Sequence, residues 1–321
     1  MTTRSPVPGE LAGRPFTVSE ARRAGMTRAR LRHRSLEAGI SGVRIPDGLG
    51  DSLDVRSRAA TTVMPDAVIS HATAAALWGL PLPLGLQRHE TIHVTHGSGR
   101  QTSAARRRGV TGHIAALPAG DISRARGVRV TNPARTFLDL AASLALDDLV
   151  VLGDAIVCCH DDPFDGLPGV PLTSSSELRR RVETVGPRRG VVAARAALGL
   201  VRVGVDSPPE TRLRLMIVRA GLPEPVPNVV IPVAAARRVI QPDLAFREQR
   251  LSLQYDGSHH ADPRQHARDI ERADLTRAAG WEEVRISAAD MTALVTVPGL
   301  GVVPRAVAKA AAALRARGWS R

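Results

Sequence analysis

The chain has 321 residues, 43% of them hydrophobic, and a formal net charge of +13. That length allows two or three domains at about 100–200 residues each. No apolar run approaches the roughly 18–20 residues of a spanning helix, and the N-terminus lacks the apolar core of a signal peptide, so the sequence predicts a cytoplasmic protein with no membrane partner.

Of 44 basic residues only Lys309 is lysine. Cationic side chains that neutralise phosphates release condensed counterions, so an excess of arginine suits a polyanionic partner. A high-GC genome also favours arginine, and charge by itself is a weak pointer to DNA. Cys158 and Cys159 are adjacent, which excludes a Cys-x-x-Cys zinc pair and a disulfide framework; they read as buried small hydrophobes.

In chain order, Thr17-Val-Ser-Glu20 is a capping box, Gly25 ends the short helix it opens, and Thr27 caps a second helix over 28–33. This is helix-turn-helix punctuation, with a wing strand expected at Gly42-Val-Arg-Ile-Pro46. A second helix of that kind meets the major groove, which makes Thr27, Arg28, Arg30, Arg32 and Arg34 the DNA-contact candidates. The bland alternative is a solvated arginine face.

From 67 to 160 helix and strand alternate: a helix from Ser70 closed by Gly79, strands over 91–95 and 128–130, a helix opened by Thr131-Asn-Pro-Ala-Arg135, and another over 147–157. His93 and His96 stand at i and i+3 on a strand, which points them to opposite faces and argues against a metal there. The Arg106–Arg108 run reads as solvated loop. Pro, Gly and Asp density over 161–171 marks the main boundary.

Short helices near 176–185 and 190–198 lead to Ser207-Pro-Pro-Glu210, a second helix start, whose helix ends at Gly221. Glu210 lies on the core-facing side and is either a cap or an acid aimed at the residues that follow. Strands over 226–233, 239–246 and 250–256, a helix over 262–279, a strand over 282–286 and a last helix over 304–317 complete the chain. Asp243 and Asp256 would converge on neighbouring strands near His260, a grouping that suits Mg²⁺ or Mn²⁺; the competing reading is a surface hairpin whose Asp256-Gly257 begins a turn.

Pro242-Asp243, Tyr255-Asp-Gly-Ser-His-His260, Asp269-Ile-Glu-Arg272 and Gly280-Trp-Glu-Glu-Val-Arg-Ile286 together resemble the Vsr-like (very-short-patch-repair) endonucleases of the PD-(D/E)XK, restriction-endonuclease-like superfamily. The resemblance implies a metal-dependent phosphodiesterase. Asp243 and Asp256 would be metal ligands, Glu210 a support from the preceding helix, and His260 a base or phosphate contact. Gln254 stands where such proteins usually carry glutamate, and Asp256 where they carry lysine. The cation would be Mg²⁺ or Mn²⁺, polarising the scissile phosphate and helping to generate hydroxide.

Phe16-Thr-Val-Ser-Glu20 to Pro46, Ser70-His-Ala-Thr-Ala-Ala-Ala-Leu-Trp-Gly79 and Val130-Thr-Asn-Pro-Ala-Arg-Thr-Phe-Leu-Asp139 resemble AbiE-type antitoxins. The expected architecture is mixed α/β: a winged helix-turn-helix over 1–50, a small α/β domain over 51–160, a linker with short helices over 161–206, and a restriction-endonuclease-like αβββαβ domain over 207–321. The expected function is a DNA-binding, metal-dependent endonuclease. The alternative is a non-enzymatic regulator or type IV antitoxin with a degenerate nuclease domain and a toxin encoded nearby.

Overall fold

The computed structural model describes residues 6–37, 39–97, 106–159, 170–257 and 263–320. The chain is mixed α/β with several separate sheets, and it divides into two compact units, Met1–Leu152 with Ser176–Ala196, and Gly153–Ser175 with Ala197–Arg321. Among the described residues no helix is long and apolar enough to cross a membrane.

In the first unit, Thr17 closes the expected capping box with Glu20 at the start of Val18–Arg23. Thr27 caps Arg28–Leu31, so this second helix ends two residues short of the expected His33. The backbone of Arg32 already leaves the helix, and the next turn is held by side chains, with the Ser35 amide donating to His33 Nδ1 at 3.2 Å. The expected wing strand is Val43–Pro46, the centre of a three-stranded antiparallel sheet between Phe16–Thr17 and Leu36–Glu37. Leu11, Phe16, Ala21, Met26, Leu31 and Leu36 form its small core.

The larger sheet of this unit has six strands, in the order Arg106–Arg107, Val110–Ala115, Ile92–Gly97, Val68–Ile69, Val128–Thr131 and Ile122–Ala125. Helices Leu53–Val63, His71–Leu77 and Pro133–Leu140 accompany it, and small residues such as Ala59, Ala60 and Ala74 let backbones approach Ile69, Ile92 and Val94 closely. Under Pro133–Leu140 lies a buried ionic cluster. Arg135 donates to Asp139 and Asp121, each at 2.8 Å, while Arg188 reaches Asp139 and Arg181 reaches Asp121.

The second unit departs from the expected strand pattern. The single strand read over 226–233 is two, Val226–Pro227 and Ile231–Val233, because Asn228 takes a left-handed φ of 45° between them. The strand read over 239–246 is likewise two, Arg238–Ile240 and Leu244–Phe246, since Pro242 has no N–H for a ladder. The main sheet runs Val226–Pro227, Leu244–Phe246, Leu251–Asp256, Glu282–Ser287, with the last pair parallel and joined through helix Pro263–Ala278. Ile231–Val233 and Arg238–Ile240 form a separate hairpin. A short helix, Ala288–Thr292, and a hairpin of Leu294–Val297 with Gly301–Pro304 were not legible in the sequence.

Helix Pro208–Arg219 ends as its glycine predicts. Gly221 has φ 74°, its amide donates to Val218 O, and the Leu222 amide returns to Ile217 O, a Schellman closure. The terminal helix Arg305–Ala316 buries Ala306, Val307, Ala310, Ala311 and Leu314, an i, i+3, i+4 stripe of mostly small side chains. Cys158 is buried as expected, but Cys159, the residue after it past the end of helix Leu146–Val157, is exposed.

Arg214 is fully buried in Pro208–Arg219, bound to Asp154 at 2.9 Å and to Glu224 at 3.0 Å. Removing one member of such a pair strands the other charge, at a cost of about 3–5 kcal/mol. Arg214→Met should therefore lower unfolding free energy by about that amount in urea titration, and Asp154→Asn added to it should cost less than the two single changes summed.

Candidate functional site

The acidic site is built by one helix start and one strand pair. Ser207 is the N-cap of Pro208–Arg219 and accepts from the Glu210 amide. Glu210 occupies the third helical position, where its carboxylate turns back: Oε1 accepts from Ser207 Oγ at 2.7 Å and Oε2 from the Asp206 amide at 3.0 Å. The cap reading of Glu210 describes its contacts, and the charge of Asp243 adds to burial in raising its proton affinity.

Strand register places the second acid. Leu244 pairs with Leu253, so one step further out Asp243 stands opposite Gln254. The Tyr255 amide donates to Asp243 Oδ2 at 2.7 Å, and Gln254 Nε2 donates to Oδ1. Gln254 Oε1 is buried and has no hydrogen-bond partner among the described residues. Leu251 and Leu253 alternate into the core opposite, as the period of two requires.

Electrostatics set this site apart. Burial, and then the neighbouring charge of Asp243, push the Glu210 carboxyl up to about 8. Burial also pushes Asp243 up, to about 6, against the pull of the Tyr255 amide, Arg272 and Gln254. Asp206 adds negative charge to both. Two part-desolvated carboxylates that resist ionising together, beside an amide oxygen with no partner, form an all-oxygen donor set of the chemistry that hard divalent cations take.

The other expected site residues are placed differently. Asp256 shares the Gln254 face of its strand but is exposed at its end. No three of the acidic side chains come within 4.8 Å of one another among the described residues. His260 lies outside the described residues, as does the side chain of Asp269. Lys309 is bound to Asp290 at 2.7 Å. In the first unit Thr27 spends its hydroxyl on the Arg30 amide, Arg30 donates to Ser35 Oγ at 3.0 Å, and Arg28, Arg32 and Arg34 are exposed.

Sequence reasoning missed a second grouping. His71, His93 and His113 have nitrogens that all lie within 4.8 Å of one another. Their elements are separated along the chain, and local spacing paired His93 with His96 instead. The strand pairing Thr95↔His113 is the signal that would have found them, because it sets His93 and His113 two steps apart on one sheet face.

No family model and no solved structure matches this chain. It is 30% identical over 118 residues to two uncharacterized proteins of Mycobacterium tuberculosis, one from strain CDC 1551 and one from strain H37Rv. The match covers 36% of this chain and 43% of each relative, so the chain spans less than half the length of the curated relatives it matches.

Proposed function

We propose that the chain is a cytoplasmic DNA-binding protein whose second unit is a Vsr-like, PD-(D/E)XK-type centre for metal-dependent hydrolysis of DNA phosphodiester bonds. One observation carries this reading: Asp243 at a strand start is held by the Gln254 amide and the Tyr255 amide, and its charge adds to burial in raising the proton affinity of Glu210 at the helix start. Helix 208–219, the antiparallel pair and the parallel strand after helix 263–278 follow the order that the resemblance implies.

A bound Mg²⁺ or Mn²⁺ would supply charge neutralisation at the phosphate and acidify water. The chain's own residues hold and orient. Asp243 is fixed by the Tyr255 amide and by Gln254, which leaves its outer lone pairs for a cation; Glu210 is fixed by Ser207 and the Asp206 amide. Asp256, exposed one pleat beyond Gln254, is free to approach a substrate from the solvent side. The first unit delivers DNA through the capped helix 28–31 and the strand Val43–Pro46, the parts of a winged helix-turn-helix.

A second reading is a DNA-binding regulator of the type IV antitoxin kind with a degenerate centre and a toxin encoded nearby. Gln254 favours it, because a neutral amide donating to Asp243 removes one charge from the cation's surroundings. Plasmid nicking by the purified protein with Mg²⁺ or Mn²⁺ separates the two. Asp243→Ala should lower nicking by more than about 100-fold, beyond the usual cost of an outer-shell partner. Gln254→Glu should raise both metal affinity and cleavage rate. A wild-type protein that leaves plasmid intact with either metal would leave only the regulator.

The acid pair also predicts a pH dependence. Folded Glu210 and Asp243 keep protons that the unfolded chain releases near pH 4, so stability should fall as pH rises through the window from about 4 to 8. Urea unfolding of Glu210→Gln should show a flatter loss over that window than the wild type, and millimolar Mg²⁺ should restore wild-type stability at pH 8. Equal slopes in the two proteins would remove the pair from the account.

For the first unit, replacing Arg28, Arg32 and Arg34 with Ala should weaken binding to unrelated DNA sequences alike. The slope of log affinity against log salt should shrink by about one per lost phosphate contact. An unaltered slope would return this helix to solvated surface.

A further inference from the structure

Three imidazoles converge in the first unit from three separate elements. His71 begins helix His71–Leu77, His93 lies on Ile92–Gly97 and His113 on the neighbouring parallel strand Val110–Ala115. His93 Nδ1 and His113 Nε2 are 3.0 Å apart, and the His71 ring stacks on that of His113 at 3.6 Å between centroids. One nitrogen from each ring falls within a 4.8 Å group.

Two features beyond proximity bear on what this cluster does. His71 holds a φ of 51°, a left-handed backbone that a residue other than glycine adopts at a cost and that concentrates at ligand sites. Its ring is also oriented from behind: Nδ1 lies 3.0 Å from Ser70 Oγ, which in turn accepts from Thr95 Oγ1 at 2.8 Å. With Nδ1–H donated to Ser70, the lone pair stands on Nε2, the outer-shell pattern that sets a ligating histidine's tautomer. The His93 backbone is anchored too, its amide donating to Thr73 Oγ1 at 2.9 Å.

We propose that His71, His93 and His113 bind a divalent transition-metal cation of the Zn²⁺ class, with the remaining coordination position left to water or an anionic oxygen. Ligand chemistry selects the metal, since three neutral imidazoles suit Zn²⁺, Co²⁺ or Ni²⁺ and offer nothing to Mg²⁺ or Ca²⁺. The 3.0 Å separation needs only a small opening to reach the roughly 3.4 Å between two nitrogens each about 2.0–2.1 Å from a tetrahedral Zn²⁺.

Both signs of charge surround the cluster. Burial, then the neighbouring rings, hold His71 down to about 2 and His93 to about 4, while burial lowers His113 against the pull of Asp139. Arg135 and Arg188 add positive potential at His71, and both are bound to Asp139, with Arg135 also on Asp121.

The test uses the full chain, stripped with chelator and titrated with Co²⁺ and then Zn²⁺. One equivalent of Co²⁺ should give visible ligand-field bands without an intense thiolate band, and Zn²⁺ should displace it and raise the wild-type Tm. His93→Gln and His113→Gln, checked for folding by circular dichroism, should each weaken Zn²⁺ binding by more than about 100-fold. Asp243→Ala should leave Zn²⁺ binding intact, which separates this site from the acidic one. Absence of both the cobalt bands and the Tm shift in the wild type overturns the proposal, as does Zn²⁺ binding that survives both histidine changes.

Discussion

The buried pair Arg214–Asp154 fixes the helix on which the acidic site depends. Arg214 lies one turn after Glu210 and is fully buried, bonded to Asp154, Glu224 and the Leu200 carbonyl. Asp154 takes in addition the Thr211 hydroxyl at 2.9 Å and the Arg202 amide at 2.7 Å. Taking two charges out of water costs several kcal/mol per ion, and only close geometry with extra hydrogen bonds offsets it. Such a clamp tolerates little rotation of the helix. Leu213 and Ile217 on the same face are locked into the apolar core, and the Glu210 carboxylate is held back over the helix start by Ser207 and the Asp206 amide.

Burial of both acids, and at Glu210 then the charge of Asp243, raises their proton affinities. Asp243 follows Pro242 and is held by the register Leu244↔Leu253, by the Tyr255 amide and by Gln254. The folded chain relieves the repulsion by binding a proton or, in the proposed function, a cation. Gln254 is consistent with this balance. A third carboxylate here would strengthen cation binding and add repulsion in its absence, whereas the amide donates to Asp243 and holds it in place. The residue that lowers the charge of the site also stabilises the chain when no cation is present.

Local chemistry was the legible part of the sequence. Capping at Thr17, Thr27 and Ser207 and helix closure at Gly221 depend on neighbours within a few residues, and each is found where it was read. The residues themselves pointed to Asp243 with Asp256 and left Glu210 between cap and acid, and only the resemblance made Glu210 a support and gave Gln254 its place; the strand register sets Gln254, rather than Asp256, opposite Asp243. Strand lengths were not, since Asn228 and Pro242 break segments whose hydrophobic pattern runs on. The ββ hairpin after Ala288–Thr292 was missed because exposed Leu294 and Val302 obscure its alternation. The histidine trio was out of reach because it depends on a parallel pairing between strands that no local spacing encodes.

The two largest fully buried side chains are arginines, Arg135 and Arg214, which changes how the net charge of +13 is read. Each is matched by buried acids: Asp121 and Asp139 in one unit, Asp154 in the other. Among the described residues the buried charges are two arginines, Arg135 and Arg214, against five acids, Asp121, Asp139, Asp154, Glu210 and Asp290, so the imbalance of 44 basic to 31 acidic residues does not come from the described core. Arg28, Arg32 and Arg34, in and just after the helix that Thr27 caps, are among the exposed members of that excess.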